Sequence, residues 1–515
     1  MTGGCCRRSL FLSRVLVTAA LLGMAARAYG GAGIATDGSL GVAGRTIAPA
    51  NAGGGNFLIP QSDGRVAGNN LFHSFSRFNI DTGQTATFTT RTAALANVIS
   101  RVSGGSASYL YGKLALTPAA GSTPAFFFLN PAGVLFGAGA TIDVPGAFHV
   151  STADYVKFAN GDKFHADLRQ ASTLSSAAPE AFGFLGTTRT PIVIKDGAVL
   201  MTSFSQPISL VAGDIGISNG AVFTPGGDIR TVALGKTAQE IGFTGALPAA
   251  SGDLILNNGL IASPASGSID GGVTAVSAGS ILLVHGSSIS SDTYSAGNAG
   301  TVTVKGGSIA IGNQGGIGSQ ANRGSKGNAG NVEVTAVGSL SLDNGGQISS
   351  STFSRGDAGS VKVSAGSIAI GNQATNLVTG IYSQATSDST GGKAGTVDVT
   401  AKGALSIDHG GEIDSSTFST GNAGNVTVNA ASIAIGNQGN GGAIRSQAND
   451  ASKGNAGNVD VTTNGLLSID HGGEISSSTF SSGNAGKVTV TVGNIAIDNG
   501  GRHLQPSLRQ HGQRR

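Results

Sequence analysis

Two phrases in this sequence bring metal-binding and acid–base side chains close together, Asp408-His409-Gly410-Gly411-Glu412 and Asp470-His471-Gly472-Gly473-Glu474. Imidazole and carboxylate groups are ordinary zinc ligands. The two phrases are equivalent positions of one repeat, two units apart, and stacked units at strand spacing would hold them about 10 Å from each other. Ligand bonds of about 2.0–2.3 Å cannot span that gap. The earlier counterpart, Asp343-Asn344-Gly345-Gly346-Gln347, has neither the His nor the Glu. These phrases therefore read as solvated turns, and no metal site is expected. Glycoside hydrolysis would need two carboxyl groups about 5–9.5 Å apart in a cleft. Acids here are few and mostly recur at repeat turns; Asp253, Asp270 and Asp292 break the repetition without forming an evident pair. Gly137-Ala138-Gly139 lacks the following helix that a phosphate cradle needs. No serine stands in a nucleophile-elbow pattern, and the calcium-binding nonapeptide is absent from the repeats. His73, among Phe72, Phe75 and Phe78, reads as a packed or surface residue. Neither catalytic nor cofactor-binding residues are expected.

What the chain does have is repetition. Gly-Asn-Ala-Gly-x-Val-x-Val, with small variations, begins at Gly297, Gly327, Gly356, Gly392, Gly421, Gly454 and Gly483, at intervals of 30, 29, 36, 29, 33 and 29 residues. Two kinds of unit alternate: one continues into Ser-Ile-Ala-Ile-Gly-Asn-Gln, the other into Leu-Ser-Leu/Ile-Asp, Gly-Gly-x-Ile and a Ser/Thr run ending in Phe353, Phe418 or Phe480. Each unit carries three short alternating segments, for example Val302-Thr303-Val304, Ile309-Ala310-Ile311 and Ile317-Gly318-Ser319. Period-two alternation with β-branched residues predicts strands, and the Gly/Asn clusters predict turns in left-handed backbone conformations. Three strands per unit of about 30 residues is the pattern of a parallel β-helix coil. One coil buries too few aliphatic side chains to offset the entropy of ordering it, so coils must stack.

Composition agrees. There are 84 Gly and only 11% charged residues, with 39% hydrophobic, which excludes a charge-rich disordered chain. With no Trp and 6 Tyr, an aliphatic core is expected. Arg7, Arg8 and Arg14, an apolar stretch from Val15 to Ala26, and Ala26-Arg27-Ala28 predict a signal peptide over 1–28. Its removal takes away Cys5 and Cys6 and leaves 27 basic against 28 acidic residues. That balance argues against nucleic acid as a partner, and no apolar run is long enough for a helical membrane span.

Upstream of the repeats lie five ordered blocks. They are Gly68-Asn69-Asn70-Leu71-Phe72-His73-Ser74-Phe75-Ser76-Arg77-Phe78-Asn79-Ile80, Asn97-Val98-Ile99-Ser100-Arg101-Val102-Ser103-Gly104-Gly105, Phe127-Phe128-Leu129-Asn130-Pro131-Ala132-Gly133-Val134-Leu135-Phe136-Gly137, Ser151-Thr152-Ala153-Asp154 and Ile208-Ser209-Leu210-Val211-Ala212-Gly213-Asp214. Together, over about Gly33 to Lys236, they resemble the secretion domain of the filamentous haemagglutinin family, whose exoproteins use two-partner secretion. Ala132 and Val134 depart from that family's Asn-Pro-Asn-Gly-Ile signature, and a separate Asn-Pro-Asn-Leu motif has no clear copy. The resemblance implies Sec export and a dedicated outer-membrane transporter, a β-barrel with periplasmic domains. It implies a chain that crosses unfolded, folds outside a Gram-negative cell, and stays secreted or on the cell surface. It also makes Asn69, Asn70, Asn130, Pro131 and Gly133 candidates for a secretion motif, although Asn-Pro-x-Gly is equally an ordinary turn.

The fold expected is all-β, a right-handed parallel β-helix with an N-terminal secretion domain capping it. The segments expected are the signal peptide 1–28, a secretion domain with first coils over 29–270, a repeat array over 271–501 and an aberrant basic tail over 502–515. The function expected is that of an adhesin or haemagglutinin-like protein binding surface glycans or proteins, with a β-helix polysaccharide enzyme as the alternative. The tail begins where the array calls for Gly-Gly-x-Ile-Ser-Ser, and codons can be chosen that restore the repeat phrases in a shifted frame. A frameshift is therefore expected near Arg502. Sequencing the gene through its 3′ end should reveal further Gly-Asn-Ala-Gly repeats in that frame; their absence makes the tail native.

Overall fold

The computed structural model of the chain describes residues 33–51, 55–371, 377–386, 391–436, 441–450 and 452–504. The segment expected to be a signal peptide, with Cys5 and Cys6, and the tail from residue 505 lie outside the described residues. The chain divides into two compact units, one formed by 1–203, 208–222 and 230–256, the other by 204–207, 223–229 and 257–515. Among the described residues one three-residue 3₁₀ turn, Gln61–Asp63, is the sole helical element; all else is strand and turn. Parallel ladders make the chain a β-helix.

In the first unit each coil contributes a strand to three parallel ladders. One joins Asn70–Phe78, Asn97–Val102, Ala125–Leu129, Phe148–Ser151 and Ile208–Ala212. A second joins Asn56–Pro60, Thr85–Thr89, Lys113–Thr117 and Thr141–Asp143. A third joins Ser108–Leu110, Val134–Phe136, Pro191–Lys195 and Asp214–Ser218. The outer edge of Asn70–Phe78 is covered by antiparallel pairing with Ile34–Thr36 and Arg65–Ala67, which removes an open template for another chain. Between Ser151 and Pro191 the chain leaves the coil. There Tyr155–Phe158, Lys163–His165 and Pro179–Phe184, joined later by Gln239–Gly242, form a four-stranded antiparallel sheet. Its Val156, Phe158, Phe164 and Phe182 bury against Phe72, Ile99, Phe127 and Leu129.

The core of this unit corrects the expectation of an aliphatic interior. Phe75, Phe78, Phe88, Phe126, Phe128, Phe136 and Phe148 are fully buried; Phe88–Phe126 at 4.9 Å and Phe78–Phe128 at 5.1 Å meet edge-to-face, while Phe78–Phe88 and Phe126–Phe148 stack. Absence of Trp said nothing about the 21 Phe, which stacked coils align ring on ring. The second unit does have the aliphatic core.

The second unit repeats one coil. Thr274–Val284, Val302–Ile311, Val332–Asp343, Val361–Gly371, Val397–Ile407, Val426–Ile435, Val459–Ile469 and Val488–Ile497 form one parallel ladder. Ser288–Ser290, Gly316–Ala321, Gln347–Thr352, Gly380–Tyr382, Glu412–Asp414, Ala443–Ala448, Glu474–Thr479 and Arg502–Leu504 form a second. The first two segments of each repeat are thus one strand rather than two. Val302, Val304 and Gly306 face inward, then Ile309 and Ile311, so the alternation changes parity between Gly306 and Ile309, where the ladder register shifts. A bulge of this kind bends the strand without a turn. At the end of the array Arg502–Leu504 still pairs in register with Glu474–Ser476, so the break in sequence pattern at Arg502 is not a break in the strand.

The two glycines of Gly-Asn-Ala-Gly are not in left-handed conformations. A Cβ on Gly330, Gly359, Gly395, Gly424, Gly457 or Gly486 would stand 2.0–2.2 Å from the carbonyl oxygen of the equivalent glycine one coil earlier. These corners are glycine because successive backbones touch there. The positive-φ residues occupy the other turn: Asn344, His409, His471 and Asn499, at φ of 43–51°, each followed by a positive-φ glycine. At the glycine corner a buried serine closes the contact. Ser319 donates to the Gly300 carbonyl at 3.0 Å and accepts from the Gly330 N–H at 2.9 Å. Ser350, Ser383, Ser415, Ser446 and Ser477 repeat this bridge coil after coil. Beside it, Asn298 Oδ1 accepts from Asn328 N–H, and Asn455 Oδ1 from Asn484 N–H.

Gly424→Ala is expected to cost about 1–3 kcal/mol through overpacking, and Ser415→Ala about 1–3 kcal/mol by leaving two buried backbone groups unpaired. Exposed Thr420→Ala should change stability by less than about 0.5 kcal/mol. Urea unfolding of the purified chain measures all three.

Candidate secretion motif

Asn130 follows the strand Ala125–Leu129 and is fully buried. Its Nδ2 donates to the Ser106 carbonyl and to Ser108 Oγ, each at 3.0 Å, while its Oδ1 accepts from Ala132 N–H at 2.9 Å. The Gly133 N–H closes the turn onto the Asn130 carbonyl at 3.0 Å, and Gly133 stands at φ 114°, a conformation that favours glycine. The Pro131 carbonyl accepts from Thr190 Oγ1 at 2.7 Å. This asparagine turn fastens its own coil to the neighbouring ones and presents no free side-chain donor or acceptor of Asn130 to a partner.

Asn70 is also buried. Its Nδ2 donates to the carbonyls of Ser175 and Ala177 at 2.8 and 2.6 Å, and its Oδ1 accepts from Asn97 Nδ2 at 2.8 Å. It ties the loop between Lys163–His165 and Pro179–Phe184 of the antiparallel sheet to the coils. Asn69 is exposed, and its carbonyl accepts from Ala96 and Asn97 N–H. The five residues do not form one site. Asn70 is in register with Asn97 and Ala125 at the start of the ladder, whereas Asn130 lies beyond its end, about 16 Å along the strand direction.

Two side-chain groups of this unit carried no sequence signal. Arg101 is buried, with its guanidinium 4.1 Å over the Phe164 ring. It donates to Ser74 Oγ at 2.7 Å, Ser39 Oγ at 2.9 Å, Ser172 Oγ at 3.0 Å and the His165 carbonyl. Asp37 accepts from Ser74 and Ser103 hydroxyls at 2.5 and 2.6 Å. Burial pulls Arg101 down to about 10, opposed by Asp37. Burial pushes the Asp37 carboxyl up, but the hydroxyls of Ser103, Ser74 and Ser39 more than offset that and hold it below its ordinary value. The partners come from residues 37, 39, 74, 101, 103, 165 and 172, a convergence that no local spacing reveals. On the antiparallel sheet, Glu240 accepts from Lys157 at 2.7 Å and Tyr155 at 3.0 Å, and Lys163 lies 4.3 Å over the Tyr155 ring.

His73 is packed between Phe88 and Phe75, with ring centroids at 5.2 and 6.1 Å, and His149 stacks on Phe127 at 4.5 Å. Burial pushes both down to about 3. The acids that break the repeat pattern each hold backbone or a cation. Asp253 pairs with Arg189 at 2.8 Å, Asp270 Oδ1 accepts from Asn298 N–H at 2.7 Å, and Asp292 Oδ1 from Gln320 N–H at 2.8 Å. Glu412 and buried Asp414 share Arg445, at 2.8 and 3.8 Å, and Asp414 also accepts from Gln384 at 2.5 Å and from Ser416. One guanidinium thus faces two carboxyls, and burial pushes both Glu412 and Asp414 above the ordinary carboxyl value, opposed by Arg445. His409 and His471 sit in the left-handed turns described above.

Residues 32–261 match the family described as TPS secretion domain. Among solved structures, the crystal structure of the HMW1 secretion domain from Haemophilus influenzae aligns at 16% identity over 84% of this chain and 96% of that chain, with a TM-score of 0.39. No curated protein matches the sequence.

Replacing Asn130 and Gly133 together is expected to abolish release into the medium and also to lower the stability of this unit by about 2 kcal/mol or more. Lost release at unchanged stability would instead make the turn a transporter contact. Buried neutral histidines with folded values below the unfolded 6.5 make stability fall as pH drops from about 6.5 to about 3. His149→Gln should flatten the upper part of that decline in a pH series of thermal melts.

Proposed function

We propose that this chain, a two-partner-secretion exoprotein of the filamentous haemagglutinin type, serves as an adhesin or haemagglutinin-like protein whose repeat array binds surface molecules. It is secreted through the outer membrane of a Gram-negative bacterium, and its secretion domain implies an outer-membrane transporter as partner. In this reading that transporter is a β-barrel with periplasmic domains, the chain crosses it unfolded, and the array coils outside. The absence of cysteine after residue 6 suits such threading, since no disulfide obstructs it.

The observation that carries the surface-binding role is the row of hydroxyl and amide side chains over the first coils of the second ladder, where Ser288, Ser290, Gln320, Gln347 and Ser349 line a cleft together with Asp292 and Val378. Short hydroxyls and amides repeated at coil spacing offer a long row of donors and acceptors to an extended ligand. No reaction is assigned to the chain.

Deleting 271–501 should leave export intact when the transporter is supplied and abolish attachment of the released protein to host cells or abiotic surfaces. Attachment at full strength without the array would overturn the role given to it. Retention of the truncated chain in the periplasm would show that the array contributes to export.

A further inference from the structure

The runs that end in aromatic residues acquire a geometry only in the folded array. Thr293, Ala321, Thr352, Ala385, Thr417, Ala448 and Thr479 are bridged in parallel register from coil to coil. The residue after each must therefore stack in a column as well. That column reads Tyr294, Asn322, Phe353, Thr386, Phe418, Asn449, Phe480, and its backbone continues the ladder, with Phe353 N–H on the Ala321 carbonyl at 2.7 Å and Phe480 N–H on the Ala448 carbonyl at 2.8 Å. Every second coil carries a ring. The rings are not core: Tyr294 is 68% exposed, Phe480 51% and Phe418 39%. Exposed aromatics in a row are a feature that a solvated surface does not select for by itself.

Two coils set successive rings about 10 Å apart, close to the length of a disaccharide in an extended β-linked polysaccharide, whose alternate sugars present the same face. Aromatic rings stack on the apolar C–H faces of sugars, and amide and hydroxyl groups between them accept and donate to the sugar hydroxyls. The charge of this corner narrows the ligand further. Exposed Arg323 and Lys326 lie on the coil between Tyr294 and Phe353, Arg355 follows Phe353, and Lys453 lies on the coil between Phe418 and Phe480; Asp357 and Asp450 are the exposed acids beside them among the described residues. In a chain with so few charges, four cations against two acids along one column favour a polyanion.

We infer that the column Tyr294–Phe353–Phe418–Phe480 is a binding track for an acidic, β-linked polysaccharide with a disaccharide repeat. This rests on the surface-binding role above and specifies its ligand. The anionic group is a carboxylate or a sulfate.

The test titrates the full secreted chain by calorimetry with hyaluronan oligosaccharides (carboxylate), chondroitin sulfate oligosaccharides (carboxylate and sulfate) and cello-oligosaccharides (neutral). The expected result is binding of the acidic series, with affinity rising in disaccharide steps as more rings are spanned and falling with added salt. Stronger binding of chondroitin sulfate identifies sulfate as the preferred anion; equal binding identifies carboxylate. Phe418→Ala and Phe480→Ala should each weaken binding roughly tenfold, while Phe480→Tyr retains it. Both positions are at the surface, so unchanged circular dichroism and melting accompany the loss. Equal affinity for the neutral series overturns the acidic assignment, and undiminished binding by the double alanine variant overturns the track. Absence of acidic glycan binding while surface attachment persists overturns this inference and leaves the adhesin role standing; loss of both overturns that role too.

Discussion

Successive coils of this protein are separated by one strand spacing, about 4.8 Å, because backbone hydrogen bonds run from each coil to the next. Every residue therefore stands on its own equivalent, and the side chains that recur are those that tolerate self-contact. Aliphatic residues stack inward, hydroxyls hand hydrogen bonds along the corner, and charges are rare because stacked like charges repel. The glycine corner is the tightest expression of this constraint. There the backbones approach so closely that even one methylene group would collide with the preceding carbonyl, and the buried serine at each level satisfies the groups that the close approach leaves without partners.

The first unit obeys the same spacing with a different interior. Phenylalanine joins the branched aliphatics in its earlier coils, which therefore enclose larger side chains that meet edge-to-face or stacked. Its coils are also less uniform, and an antiparallel sheet with its own buried phenylalanines grows out of one of them. A regular array can repeat one solution at every level. A domain of unlike coils needs particular bonds between distant segments, and Arg101, Asn70 and Asn130 supply them. That explains how residues resembling a signature can be both diagnostic and internal: a turn held by a buried asparagine is costly to change whatever else the domain does.

Much of this was legible in the residues. Alternation in Val302-Thr303-Val304 and its copies announced strands, and recurrence at about 30 residues announced stacked coils, because both patterns are local and repeated seven times. The merging of two segments into one bent strand was not legible, since a bulge at Gly306 to Ile309 depends on how neighbouring coils pair. Nor was the reason for the corner glycines, which lies in a carbonyl some 30 residues away rather than in their own φ. The phenylalanine core went unread because its rings are scattered over 70 residues and meet only across coils.

By itself the sequence determined the class of fold, the coil length and the ordered blocks of the secretion domain, because those follow from periodicity and local residue patterns. Tertiary structure alone decided which polar residues are spent inside. Asn130, Asn70 and Arg101 look alike in sequence to exposed, available groups, and only the convergence of residues 22 to 107 positions apart buries them and gives them partners. It likewise decided that four aromatic residues at intervals of about 60 form one column, three of them exposed and Phe353 half-buried, since a parallel register set by backbone hydrogen bonds places recurring positions above one another.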